Sequence, residues 1–398
     1  MPPNVGRQNL NGWCGTMDHW ERIDPEQRSC SLFGVTDNPE IRDSYIPESN
    51  DDIVNFRLVF HAFADDQGNN PTATLEDVNA QLLTLNEAFI NHKIQFLGWF
   101  VTHNSSDYQT VNSEQWSDGS FKQAFAEDPT IYHNVYITDS DPDWAILGVS
   151  TFPWYDGALT HFGGTIVDKD WFGGPYSYDG YTFIPNHTLT HEIGHALGLW
   201  HTHHGVDEVA DCGTCYEGAD GYNYSGIDNQ DVVGDLCSDT KGTVKNFYCA
   251  DPDSTDCQGN PWQGTDYHNF MGYANDDCYN LDGNGFSEQQ SGRMHGWIAD
   301  KYQGLVENSE GRIFMHTSFE NSDFPGGWTI YDVDGDGNTW GIGYENPEGS
   351  DFDLAQYGEQ GAYLYSGYSY NNDYIVTSPI TIPSDIENCS FSFWAKAH

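Results

Sequence analysis

Residues 191–201, with the sequence HEIGHALGLWH, carry three histidines and one carboxylate at spacings that suit metal chemistry. Residues four apart on a helix lie on one face, one turn apart, so His191 and His195 present two imidazoles side by side. His201 could not join them on a continuing helix. A glycine with positive φ at Gly198 would end the helix and turn His201 back towards the pair. Three neutral imidazoles leave one position of a tetrahedral zinc ion open to water, which is the layout of a catalytic rather than a structural site.

Glu192 follows His191 directly, so its carboxylate lies beside the helical histidines but off their shared face. A carboxylate in that position can take a proton from zinc-bound water. A short HExxH match also occurs on helices whose histidines are only solvated, but the added glycine and third histidine argue against that alternative. The extended pattern is the signature of metzincin zinc peptidases, which also carry a methionine in a downstream turn. Met271, in the sequence NFMGY at residues 269–273, supplies that methionine.

The composition is strongly acidic. The 398 residues contain 14 Lys and Arg against 61 Asp and Glu, which gives a net charge of −47 spread along the chain. This charge excludes nucleic acid as a partner. Two interpretations of the acidity stay open, namely an extracellular protein with several cation sites or an adaptation to saline surroundings.

The nine cysteines indicate an extracellular location. Six of them lie between residues 212 and 278, and no CxxC pair is matched by a second one. Disulfides in an oxidising compartment are therefore favoured over a structural zinc ribbon. No run of 18 apolar residues exists, so we expect no membrane span. Residues 1–13 show no signal peptide, so we expect that a leader has been removed or precedes this sequence.

Hydrophobic periodicity predicts a mixed α/β (α+β) fold in the first three quarters of the chain. Residues 1–50 are polar and resemble a propeptide. Apolar runs predict strands at 55–63, 93–101, 131–138, 146–152 and 165–168, and helical spacing predicts a long helix at 74–91. A loop region rich in Gly, Asp and Cys follows the zinc motif at 202–285, and 287–302 is typical of a closing helix.

From residue 311 the chain changes to short aromatic-rich strands separated by Gly and Asn turns, which predicts an all-β sandwich. The last run ends in mid-strand, so we expect this module to be truncated. The expected domains are therefore 1–50, 51–308 and 309–398. Asp332, Asp334 and Asp336 match the front half of a calcium loop, so calcium is a candidate second cation; the alternative is a solvated acidic turn.

Several segments resemble the pappalysin group of metzincins, including its ulilysin-like and cytophagalysin-like members. The matching segments are 191–202, 234–236, 269–273, 276–278 and the helix containing Gln289, Arg293 and Met294. The resemblance implies a metzincin fold with a mixed twisted sheet and a zinc-binding active-site helix. It also implies one catalytic zinc ion bound by His191, His195 and His201. Residues 311–398 separately resemble the jelly-roll modules of the cleaved-adhesin type.

The same resemblance implies roles for residues outside the zinc motif. Tyr273 would approach the metal or the oxyanion, and Gly148 would lie on the edge strand that binds substrate. Asp277 would lie at the floor of the primed-side pocket and favour Arg or Lys at P1′; the alternative is a surface or calcium-binding Asp. Cys14 would be a propeptide ligand that blocks the open zinc position; the alternative is a disulfide with Cys30.

The cysteine spacing of the group implies disulfides that join Cys212 with Cys257 and Cys249 with Cys278. Two further cysteines, at 215 and 237, are additional in this chain, and a bond between them is left open. Gly272 stands where an acidic residue often follows the methionine, a departure that does not involve the zinc ligands.

The sequence therefore predicts a secreted zinc endopeptidase that acts on proteins or peptides, with Glu192 as the general base. The rival hypothesis is a non-catalytic adhesin or glycan-binding protein whose metal site is structural. The C-terminal β module supports this alternative hypothesis, but the hypothesis does not explain why Glu192 is present beside the histidines. The oligomeric state is not indicated.

Overall fold

The computed structural model describes residues 34–307 with gaps at 142, 145, 174–175, 179–180, 184–186, 210–211, 214, 222–230, 275–277 and 279–284, and four strands beyond residue 328. The chain divides into two compact units, Met1–Glu307 and Asn308–His398. None of the described helices is long and apolar enough to cross a membrane.

A six-stranded mixed sheet is the centre of the first unit. Its strands are β1 (Val54–Ala64), β2 (Ile94–Asn104), β3 (Thr110–Val111), β4 (His133–Ser140), β5 (Gly148–Ser150) and β6 (Thr165–Asp168). Their order is β2-β1-β4-β6-β5, and β3 pairs with β4. All pairings are parallel except that of β5, which runs antiparallel to β6 at one edge. The predicted mixed α/β class is confirmed, although β5 is shorter than the strand expected at 146–152.

Helices surround this sheet. They are α1 (Pro39–Asp43), α2 (Leu75–Phe89), α3 (Ser113–Asp118), α4 (Ser120–Phe125), α5 (Thr188–Ala196), α6 (His204–Asp207) and α7 (Glu288–Asp300). Short 3-10 turns lie at Val35–Asp37, Ile90–His92, Ser106–Tyr108, Lys169–Trp171 and Gln303–Leu305, and a hairpin joins β7 (Tyr176–Tyr178) to β8 (Tyr181–Phe183). Sequence periodicity predicted α2 and α7 but missed α3 and α4, which are only six residues long each.

One hydrophobic core fixes the zinc-motif helix against the sheet. Strand β1 is buried along nearly its full length, as expected for a strand covered on both faces. Its Leu58 and Phe60 belong to the same buried cluster as Leu189 and Ile193 of α5 and Met294 of α7. Helix α5 therefore uses its apolar residues for packing, and its histidines are not required for that packing.

Residues 34–50 are part of the first unit rather than a separate segment. Thr36, Asp37 and Arg42 are buried, at 1%, 4% and 1% exposure. The Arg42 guanidinium donates to Leu236 O at 2.6 Å and to Asp231 Oδ1 at 2.9 Å. Residues 34–46 therefore pack against the rest of the first unit through polar contacts, which hydrophobic periodicity does not reveal. The domain boundary expected at residue 50 stays a prediction.

The loop region after the zinc motif is held together by cross-links. It contains the two expected disulfides, Cys212–Cys257 and Cys249–Cys278. The bond left open between Cys215 and Cys237 is not formed: Cys237 is a buried free thiol, while Cys215 is in another disulfide. These disulfides therefore explain how such a long loop region can be ordered within a compact unit.

Two fully buried carboxylates, Glu217 and Asp235, also lie in this loop region. Glu217 Oε1 accepts from Gly242 N at 2.9 Å, and Asp235 Oδ2 accepts from Thr240 Oγ1 at 2.6 Å. Burial raises the pKa of Asp235 to about 7 and raises the pKa of Glu217 well above its usual value.

The described part of the second unit consists of short strands. They are β9 (Thr329–Tyr331), β10 (Gly341–Gly343), β11 (Gly361–Tyr363) and β12 (Tyr374–Val376), and β9 pairs with β12 and β10 with β11, both antiparallel. These strands agree with the predicted all-β module. The candidate calcium loop at residues 332–336 lies outside the described residues.

Candidate active site

Helix α5 ends at the point that the zinc motif requires. Its last helical residue is Ala196, and Gly198 has a φ of 92°. Gly198 N donates to His195 O, and Leu199 N donates to Gly194 O, which is a Schellman-type helix end. This reversal brings His201 back to the two histidines of the helix.

The three histidines meet at one point. Their Nε2 atoms lie 3.0 to 3.1 Å from one another. Two nitrogens bound to one zinc ion at a distance of about 2.0 Å and a tetrahedral angle would be about 3.3 Å apart. The ring positions of His191, His195 and His201 are therefore close to those of a three-histidine zinc site.

Hydrogen bonds at the other ring nitrogen set the tautomer of each histidine. His191 Nδ1 lies 2.7 Å from Phe270 O, His195 Nδ1 lies 2.8 Å from Leu199 O, and His201 Nδ1 lies 2.6 Å from Glu208 Oε1. Each of these oxygens is an acceptor, so the proton is on Nδ1 and the Nε2 lone pair faces the centre. Three lone pairs with no proton among them repel one another unless a cation lies between them. The residues present thus fit a zinc ion.

Burial keeps these imidazoles neutral. Desolvation lowers the pKa of His191 to about 3 and that of His201 to about 4, and it lowers the pKa of His195 well below its usual value. Zinc binds neutral imidazole, so the three ligands need lose no proton at neutral pH.

Glu208 connects the zinc ligand His201 to two further histidines, His203 and His204, and this role was not predicted from the sequence. It is 8% exposed and accepts from His201 at Oε1 and from His204 Nδ1 at Oε2, 2.9 Å away. Burial acts to raise the pKa of Glu208, but its interaction with His201 and the hydrogen bonds from the neighbouring histidines lower it well below its usual value. Glu208 is thus an ionised acceptor that orients His201. The run of three histidines at 201, 203 and 204 was the available signal.

The methionine turn lies directly against the helix. Met271 is fully buried, its N donates to Asn269 Oδ1 at 2.9 Å, and its O accepts from Thr202 N at 3.1 Å. A Cβ atom on Gly194 would lie only 2.4 Å from Met271 Sδ. Glycine at this helix position therefore allows the turn to approach the zinc ligands.

Tyr273 lies beside the same histidines, and its approach to a metal or an oxyanion stays a prediction. Its ring centroid is 4.9 Å from that of His201 and 5.9 Å from that of His191. Its side chain is almost fully buried, at 6% exposure. The Tyr273 ring therefore lies next to two of the three histidines.

Gly148 and Glu192 are in close contact. Glu192 is 1% exposed, and a Cβ atom on Gly148 would lie 2.6 Å from Glu192 Cγ and 2.8 Å from Glu192 Oε1. Gly148 begins β5, the antiparallel edge strand. The structure thus places the predicted substrate strand next to the predicted general base. Asp277 and Cys14, the other two predicted site residues, lie outside the described residues.

The chain matches two known families. The peptidase family described as pregnancy-associated plasma protein-A matches residues 117–299, and the cleaved adhesin domain matches residues 312–397. Human pappalysin-1 is 32% identical over 207 residues, which are 51% of this chain and 11% of pappalysin-1. An extracellular metalloprotease of Neurospora crassa is 30% identical over 244 residues, which are 57% of this chain and 70% of that protein. The chain belongs to the pappalysin family of metzincin metallopeptidases.

Solved structures similar to this pappalysin-family chain include two forms of mirolysin from Tannerella forsythia. Mature mirolysin in complex with a cleaved peptide aligns with a TM-score of 0.46 and 22% identity, and covers 66% of this chain and 100% of that one. A promirolysin mutant aligns with a TM-score of 0.49 and 21% identity, and covers 74% of this chain and 96% of that one.

Proposed function

We propose that this pappalysin-family protein is a secreted zinc endopeptidase that hydrolyses peptide bonds in proteins. The observation that carries the proposal is the convergence of three buried Nε2 lone pairs within 3.1 Å, with Glu192 next to His191 in the chain. The fungal relatives named extracellular metalloproteases and the two disulfides support secretion. A role for calcium stays a prediction.

The proposed mechanism uses groups that the fold already holds in place. His191, His195 and His201 would hold a zinc ion, which when bound would lower the pKa of a water to about 7 and supply positive charge for the scissile carbonyl. Glu192 takes the proton of the attacking water and delivers it to the leaving amine. Tyr273, beside His201, donates a hydrogen bond to the oxyanion. The backbone of β5 at Gly148 pairs with the substrate as an added strand.

Zinc analysis combined with a protease assay tests this function. The purified protein should bind one zinc ion and cleave a denatured protein, and a chelator should abolish cleavage. Glu192→Ala should keep zinc but lower kcat by about 10²- to 10⁴-fold, because it removes the general base. His201→Ala should weaken zinc binding itself. Full activity of Glu192→Ala would refute the mechanism, and zinc binding without any cleavage would favour the adhesin or glycan-binding alternative.

The substrate preference proposed for this site is Arg or Lys at P1′. It is supported by the family membership and by the sequence, in which Asp277 directly precedes Cys278. Cys278 forms a disulfide with Cys249. A cleavage profile from a peptide library should show the basic preference, and Asp277→Ala should remove it while leaving zinc content unchanged. An identical profile for both proteins would mean that Asp277 does not bind the P1′ side chain.

A further inference from the structure

Arg293 of α7 connects the turn of the zinc motif to the N-terminal part of the chain. The side chain is fully buried, at 0% exposure. Its Nε and Nη2 atoms both donate to Gly198 O, at 3.2 and 3.0 Å, and its Nη1 donates to Asp37 Oδ1 at 2.8 Å and to Thr36 O at 3.3 Å. One guanidinium thus binds two segments that are both remote from it in sequence.

The carbonyl that Arg293 binds belongs to the residue that reverses the chain between two zinc ligands. The next residue, Leu199, supplies the oxygen that fixes the His195 ring, and His201 follows two residues later. Displacement of Gly198 O would therefore move the acceptor of one ligand and the backbone of another. Charge-assisted bonds from one arginine to one carbonyl are stronger than neutral ones, which suits them to hold this turn.

The N-terminal side of the connection is equally well packed. Asp37 Oδ2 accepts from Gly34 N at 2.8 Å, so the carboxylate is oriented by its own turn. A Cβ atom on Gly34 would lie 2.2 Å from Trp297 of α7, and a Cβ atom on Gly198 would lie 2.1 Å from the same indole. Trp297 therefore contacts both segments that Arg293 joins, so the Gly34 turn and the Gly198 turn are coupled through α7.

We propose that Asp37 and Arg293 are positioning residues for the zinc ligands, and that residues 34–46 are a retained part of the active enzyme. This inference rests on the proposed zinc peptidase function. A buried arginine that loses the carboxylate of Asp37 is costly, so removal of the N-terminal segment would release the Gly198 turn. Maturation must then cut the chain before Gly34, and not near residue 50 as the sequence suggested.

Two variants of the full-length chain test the positioning role. Asp37→Asn removes the charge but keeps the shape, and Arg293→Lys keeps the charge but loses the paired bonds to Gly198 O. Both should weaken zinc binding by about 10-fold in a chelator competition, a typical loss when a group that orients metal ligands is changed. Both should lower kcat more than they change KM.

Asp231→Asn is the matched control. Asp231 pairs with Arg42 at 2.9 Å and so also anchors the N-terminal segment. Among the described residues, the hydrogen bonds of Arg42 go to Asp43, Leu236 and Asp231 and not to the zinc turn. This variant should bind zinc like the wild type. If Asp37→Asn and Arg293→Lys lower only the melting temperature of the zinc-free protein and keep wild-type zinc affinity, their role is structural and the inference is wrong. If the wild type itself binds no zinc, the proposed function fails instead.

An independent measurement does not depend on how well the variants fold. The full-length chain is incubated until an active species accumulates, and the intact mass of that species gives its first residue. We expect a start before Gly34. An active species that lacks residues 34–46 would overturn the inference.

Discussion

Gly148→Ala is expected to reduce catalysis by displacing Glu192 while leaving the zinc site intact. The new Cβ would lie 2.6, 2.8 and 2.9 Å from Glu192 Cγ, Oε1 and Cδ. Carbon atoms in normal contact are about 3.5 to 4.0 Å apart, so the carboxylate must move by about 1 Å. A displacement of that size can cost about 100-fold in rate, which corresponds to about 2.7 kcal/mol in the activation free energy.

The fold should tolerate this change. Gly148 does not belong to the glycines with positive φ, and the atoms that a Cβ would meet belong to a side chain that can rotate. Zinc content and melting temperature should therefore stay close to those of the wild type. Gly272→Ala is the control, because its Cβ would meet only Asn269 O at 3.3 Å and Thr202 Oγ1 at 3.6 Å beside the same site.

Steady-state kinetics on a peptide substrate separates the explanations. We expect kcat to fall and KM to change little, because the displaced group acts on the attacking water. An unchanged kcat would refute the reasoning. A rise in KM alone would show that the methyl group obstructs the substrate strand rather than Glu192.

Three further predictions concern the chain as a whole. With a net charge of −47, the melting temperature should rise with added salt, and a melting temperature that is independent of ionic strength would contradict self-repulsion as a cost of the acidic composition. The free energy of unfolding of the zinc-free protein should decrease as the pH is lowered from about 6.5 to 4. In this range the histidines of the unfolded chain bind protons, whereas the buried histidines of the folded protein, whose pKa values are lowered, stay unprotonated. Such histidines include His61, His133, His187, His191, His195 and His201. They outnumber the described carboxylates with raised pKa values, Glu217, Asp235 and Asp266, which act in the opposite direction. Equal stability in urea at pH 7 and pH 5 would disprove this account. Finally, Cys14→Ala in the full-length chain should be active without cleavage if Cys14 blocks the zinc position, whereas an inactive, uncleaved, zinc-loaded variant would exclude it as the block.

The sequence predicted those parts of the site that depend on local geometry. The spacing of His191 and His195, the positive φ of Gly198 and the return of His201 all follow from helix dimensions and helix-end chemistry. Met271 was found because its turn has a recognisable sequence. The apolar periodicity of β1 and α2 also gave their approximate bounds, since both elements contribute to one core.

The parts that were missed depend on polar contacts between distant residues. Asp37 and Arg293 are 256 residues apart, and no periodic pattern connects them. Residues 34–46 resembled a propeptide because they are polar, yet Arg42 is buried through hydrogen bonds rather than apolar contacts. The contact of Glu208 with His201 depends on the conformation of the turn between them, so it cannot be recognised from the sequence. Hydrophobic patterning carries no information on such pairs.

The long sequence separations in the site have a consequence for synthesis of the protein. His191 receives its orienting contact from Phe270, 79 residues later, and the zinc turn is held by Arg293, 95 residues after Gly198. A chain is made from its N-terminus, so the first contact waits until Phe270 has left the ribosome and the second waits until α7 has left it. The ligand cluster is thus one of the last parts of the first unit to be completed. A chain that ends before α7 lacks the bonds from Arg293 that hold the zinc turn.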